Sequence, residues 1–211
     1  MSVLDFGVEV IAISASGVLA PGPLFFINLL YGTRQGARSG IKVACGHTVV
    51  ELPLIILLAV GLFASAATGQ YPGAISLAGG AGILGFAGLQ IATVISKRNV
   101  QAAPTLGSGK SPFVAGIALS ALNPFFLVWW FTVGLKLVAD SATFGFAAGI
   151  VILFALHIWM DYAWLAGTAY FASKGSSVLK SKYYPLLLLT LVAVLLYYGL
   201  NFMLTGIDAL S

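Results

Sequence analysis

Apolar residues run along the chain in six long stretches with almost no charge inside them, roughly 7–32, 41–64, 74–95, 112–137, 143–171 and 183–205. A helix needs about 20 mostly apolar residues to cross a bilayer, so each stretch has the length of one span. Polar residues and helix breakers gather between them, as in Tyr71-Pro72-Gly73 after the second stretch and in "SKRNVQAAPTLGSGKSP" after the third. The pattern predicts an all-α integral membrane protein of six transmembrane helices. Its loops are too short for a soluble catalytic domain.

Prolines interrupt two of these stretches. The first contains "LAPGPLFF", with Pro21, Gly22 and Pro23, and the fourth contains "SALNPFFL", with Asn123 and Pro124. A proline lacks the N–H that a helix uses four residues back. Gly17, Leu19 and Ser120 are therefore expected to lose their carbonyl partners. An unsatisfied backbone group costs several kcal/mol in hydrocarbon, so such a break survives beside protein or a wet cavity. The two breaks lie three spans apart and correspond in sequence, so the copies cross the membrane in opposite directions. This is the plan of transporters built from inverted repeats, which bind solute between discontinuous helices. The expected organisation is a single transmembrane domain over 1–211: a first three-helix repeat over 1–96, a cytoplasmic connection over 97–111 and a second repeat over 112–211. Gly17, Leu19, Pro21, Gly22, Pro23, Ser120, Asn123 and Pro124 are the candidate substrate-binding residues. Two tolerated kinks would give the same prolines without a site.

Composition agrees with the class. The chain has 211 residues, 60% of them hydrophobic and only 8% charged, and a mean hydropathy of +1.03, where a soluble domain carries about 25% charged residues. The net charge of +4 follows membrane sidedness and gives no reason to expect nucleic acid. Arg34, Arg38 and Lys42 follow the first span, Lys97, Arg98 and Lys110 the third, and Lys174, Lys180 and Lys182 the fifth; Lys136 alone lies opposite. Cytoplasmic loops carry the excess of Lys and Arg. That rule places these connections in the cytoplasm and both termini outside, in a multi-pass protein of the cell membrane. The start, "MSVLDFGVEV", carries Asp5 and Glu9 where a signal peptide would be basic, so the first span is read as retained. Cys45 is the single cysteine and is read as a small buried residue.

Ionisable residues inside the spans narrow the function. "GHTVVELP" places His47 and Glu51 four residues apart, and "LHIWMDYAW" gives His157 and Asp161 the same spacing. Residues i and i+4 share a helix face, and intramembrane ionisable groups mark ion pathways and proton relays. These four are the candidate proton-coupling residues. The competing reading is two local pairs that steady helix packing. Asp5, Glu9, Asp140 and Asp208, near span ends, are expected to be solvated.

In Pro21-Gly22-Pro23, the glycine-spaced "GTRQGARSGIKVACGHTVVE" and Asn123-Pro124, the chain resembles the LysE/RhtB family of amino-acid exporters. The likeness extends over essentially the whole length. One departure is Phe125, where family members often carry lysine after Asn-Pro. The resemblance implies a secondary transporter exporting amino acids or similar small solutes, by proton antiport, from a homodimer, with protons and the lipid bilayer as its other partners. It implies no cofactor, no resident metal and no enzymatic activity. Related families move divalent metal ions, so a metal-ion exporter is the alternative reading. An intramembrane metalloenzyme on the two His–acid pairs is a second.

Overall fold

The structure is a computed structural model describing residues 2–67, 72–95, 111–175 and 184–209; the expected cytoplasmic connection lies almost wholly outside them. Every regular element among the described residues is helical: α1 (Val3–Val18), α2 (Pro23–Gln35), α3 (Ala37–Ala67), α4 (Pro72–Ile95), α5 (Pro112–Ala121), α6 (Pro124–Trp129), a π-helical turn (Trp130–Gly134), α7 (Leu135–Ser141), a 3-10 turn (Ala142–Phe144), α8 (Phe146–Ser173) and α9 (Tyr184–Asp208).

Local sequence sets the breaks. At the start of α1, the Ser2 hydroxyl accepts from the Asp5 N–H at 3.1 Å while the Asp5 carboxylate accepts from the Ser2 N–H at 3.1 Å, a reciprocal cap that satisfies two orphan donors. Between α1 and α2 the chain bends by 74°. Pro21 cannot continue α1, and Pro23 opens α2 at its first position, where a missing N–H costs nothing. The second break follows the same logic. Asn123 caps α6 by accepting from the Phe125 N–H at 3.1 Å, and Pro124 is its first residue.

Four helical stretches are each long and apolar enough to cross a membrane: Ala37–Ala64, Pro124–Phe144, Phe146–Ser173 and Leu189–Asp208. The bent pair α1–α2 adds a fifth. The fold is thus an all-helical, multi-pass membrane fold with four or five candidate spans among the described residues, where the sequence predicts six. The expected third span coincides with the 24-residue α4. The expected fourth, 112–137, is displaced. Its first part is the ten-residue α5, and the helical run after Asn123 continues to Phe144 because no breaker intervenes before Gly145 at φ +84°.

In the packing, α3 lies against α5 and α8, α2 against α8, and α4 along α9. The approach of α3 to α5 is glycine-dependent. A Cβ on Gly46 would strike the Phe113 carbonyl oxygen, and one on Gly116 would strike that of Val43. Small residues let transmembrane backbones come this close. A larger apolar core gathers Phe6, Val10 and Ile13 of α1 with Trp130, Leu137 and Leu153. A smaller one gathers Ile27, Tyr31, Val43, Ala115 and Leu165.

One expectation is corrected here. Glu9 is not solvated: it is 8% exposed and ion-paired with Lys136, itself 7% exposed. Asp140 Oδ2 stands 2.5 Å from the same ammonium, and the rings of Tyr198 and Phe202 lie 5.3 and 5.6 Å from it. Glu9 falls on the inward face of α1, and burial of its carboxylate requires the charge that Lys136 supplies.

Candidate functional site

A cavity of about 90 Å³ lies where the two helix breaks meet α3 and α8. A buried water needs roughly 10–15 Å³ of such space, so the cavity has room for several waters or one small solute. Both cores contribute to its wall, Trp129 and Trp130 from the larger, Leu119 and Leu165 from the smaller. His47, Glu51, His157 and Asp161 all line it.

These four side chains form one cluster, where the sequence suggested two separate pairs. His47 Nε2 and His157 Nε2 each lie 3.1 Å from the same atom, Glu51 Oε1. Asp161 stands beside both rings, Oδ2 at 3.2 Å from His157 Nε2 and Oδ1 at 3.9 Å from His47 Nε2. Trp130 donates its Nε1–H to Glu51 Oε1 at 3.2 Å. One carboxylate oxygen therefore gathers three nitrogens. Its partner oxygen, Oε2, is buried with no hydrogen bond among the described residues, and so is Asp161 Oδ2. Buried acceptors are nearly always satisfied, so these two oxygens are the natural seats for a bound donor or cation.

The outer nitrogens of the two rings are held in the same way from opposite halves of the chain. His47 Nδ1 lies 2.7 Å from Ser120 Oγ on α5, and His157 Nδ1 lies 2.7 Å from Ser14 Oγ on α1. The Ser120 hydroxyl donates its hydrogen to the Gly116 carbonyl at 2.7 Å. A hydroxyl has one hydrogen, so His47 must donate from Nδ1 to Ser120. The inward Nε2 of His47 then shares a single proton with Glu51. Sequence reasoning missed Ser14, whose residue type carries no signal of its own.

Two adjacent tryptophans close the site. In an α-helix neighbouring residues point about 100° apart, but here the π-helical turn begins at Trp130. Trp129 donates to Ser16 Oγ at 3.1 Å while Trp130 reaches Glu51. Turns of this kind are frequent at functional sites. Gly134 leaves the space that the Trp130 ring occupies, which a Cβ there would invade.

The substrate candidates at the breaks divide. Gly17, Gly22, Ser120 and Asn123 line the cavity, whereas Leu19, Pro21, Pro23 and Pro124 do not. The carbonyls of Gly17 and Ser120 are not left free as expected. Each accepts from the N–H three residues on, Ala20 and Asn123, at 3.2 Å. The chain tightens locally and so repairs what proline removes; Ser120 enters the site by its hydroxyl instead. The N-terminus of α2 differs from that of α6: Gly22 supplies no side-chain cap, and Gly22, Leu24 and Phe25 line the cavity.

Residues 15–206 match the family model described as LysE type translocator. No curated protein and no solved structure matches the chain.

Proposed function

The chain belongs to the LysE type translocator family, and on that premise we propose that it is a secondary transporter exporting amino acids or similar small solutes in exchange for protons. The family supports a membrane translocator of small solutes. The observation that carries the finer reading is the convergence of His47, His157 and Trp130 on Glu51 beside a cavity at two helix breaks.

In this reading the solute ammonium and the protons are alternatives at one place. Facing the cytoplasm, the ammonium sits against Glu51 Oε2 and Asp161 Oδ2, the two oxygens without hydrogen bonds, and a proton leaves. Its carboxylate meets the uncapped start of α2, where N–H groups and the helix dipole favour an anion. Facing outward, a proton returns to the cluster and cancels the charge that held the ammonium. Phe25, Phe126 and Trp164 on the cavity wall favour an uncharged side chain. The correspondence of His47–Ser120 with His157–Ser14 supports two inverted repeats, 1–96 and 112–211, that rock about the shared carboxylate. Counterflow of labelled amino acids in proteoliposomes tests the substrate class: neutral amino acids should exchange, and the absence of exchange for every amino acid would end this reading.

The basic clusters put the α2–α3 turn in the cytoplasm and the turn before α8 outside. In a Cys45→Ser background, Gln35→Cys should be labelled only after the membrane is opened and Thr143→Cys in intact cells; both positions are exposed. The reverse pattern would overturn this orientation.

A further inference from the structure

Two imidazoles and two carboxylates around one point are a donor set that transition metals take. We propose that His47, Glu51, Asp161 and His157 form a binding site for one divalent transition-metal ion, zinc foremost, which competes there with protons and solute. Donor atoms of His47, Glu51 and Asp161 lie within 4.8 Å of one another, and His157 Nε2 stands 3.1 and 3.2 Å from the two carboxylates. Zinc bonds of about 2.0–2.1 Å in a tetrahedron set neighbouring ligand atoms roughly 3.3 Å apart. Three nitrogen–oxygen separations, 3.1 and 3.1 Å to Glu51 Oε1 and 3.2 Å from His157 to Asp161 Oδ2, lie near that edge, and the fourth, 3.9 Å from His47 to Asp161 Oδ1, is longer.

Three further features fit the same occupant. Metal-binding histidines carry a hydrogen bond on the outer ring nitrogen. Both imidazoles have one, and Ser120 holds the Nδ1 hydrogen of His47 outward, so that loss of the proton shared with Glu51 turns the Nε2 lone pair toward the cluster. Glu51 Oε2 and Asp161 Oδ2 are acceptors without hydrogen bonds, available to a cation. The charges also close: a divalent ion with two carboxylates and two neutral imidazoles is neutral, which a buried site requires. Magnesium and calcium prefer six or more oxygen ligands, and a site with two nitrogens disfavours them.

Metal binding stands independently of transport; only the competition with solute rests on the export reading. Full-length protein purified in detergent is titrated with zinc against a chromophoric chelator, without any solute. The expected result is one zinc per chain, unaffected by magnesium, lost in Glu51→Gln, weakened about 10–100-fold in Ser120→Ala and unchanged in Cys45→Ser. X-ray absorption of the zinc-loaded wild type reads the ligands without any variant: nitrogen and oxygen at about 2.0 Å with imidazole scattering, and no sulfur at about 2.3 Å. No zinc bound by the wild type, full binding by Glu51→Gln, or a sulfur ligand would overturn the site. Zinc that binds but leaves counterflow unchanged would overturn the competition.

Discussion

Replacing Glu51 with glutamine should reduce proton-driven export to the background of empty vesicles, while the protein still inserts and stays folded. Glutamine keeps the shape and one acceptor oxygen, so the Trp130 and His157 donors can still be met. What it removes is a carboxylate that can hold a proton or a negative charge. Glu51 is 1% exposed and receives His47, His157 and Trp130 on one oxygen. Hydrogen bonds to charged groups contribute about 1.5–3 kcal/mol each, and a lower melting temperature should accompany the loss. Asp161→Asn is expected to abolish coupled export as well, with solute binding preserved in at least one of the two variants. Wild-type rates in both would reduce the cluster to a structural pairing of helices.

The second large effect concerns the break in the first span. With Pro21 and Pro23 both changed to alanine, α1 and α2 should close into one helix. Proline is disfavoured in a helix interior by about 3 kcal/mol relative to alanine, and the substitution removes that penalty twice. Closing the 74° bend draws the N–H groups of Leu24 and Phe25 into the helical ladder. It also swings Gly17 and Gly22 out of the cavity wall. The double variant should remain in the membrane and lose solute binding, measured directly on purified protein with labelled amino acid. Unchanged binding would make the bend architectural and confine the site to the His–acid cluster.

Much of this site could be read along the chain, because its parts obey local rules. The i, i+4 spacing of His47–Glu51 and His157–Asp161 announces two polar helix faces, and the prolines announce two breaks. What spacing cannot give is which faces meet. His47 finds Ser120 across 73 positions and His157 finds Ser14 across 143, and a serine in a membrane helix carries no mark of that partnership. The burial of Glu9 was hidden for a related reason. Distance from a helix end sets depth, but the side of the helix decides whether a carboxylate meets water or Lys136. The carbonyls of Gly17 and Ser120 show a third limit: proline removes one donor, and the chain then supplies another from three residues on. The π-helical turn that aims both tryptophans has no simple sequence signature.

The central claim is that solute and protons move in opposite directions through one site. It is tested most directly in proteoliposomes holding the purified protein, a pH-sensitive dye and a labelled neutral amino acid, with an imposed pH gradient. The gradient should drive the amino acid against its own concentration, added solute should drive a proton flux of opposite sign, and both should vanish in Glu51→Gln. Solute movement without any proton flux, or the same flux in Glu51→Gln, would contradict it.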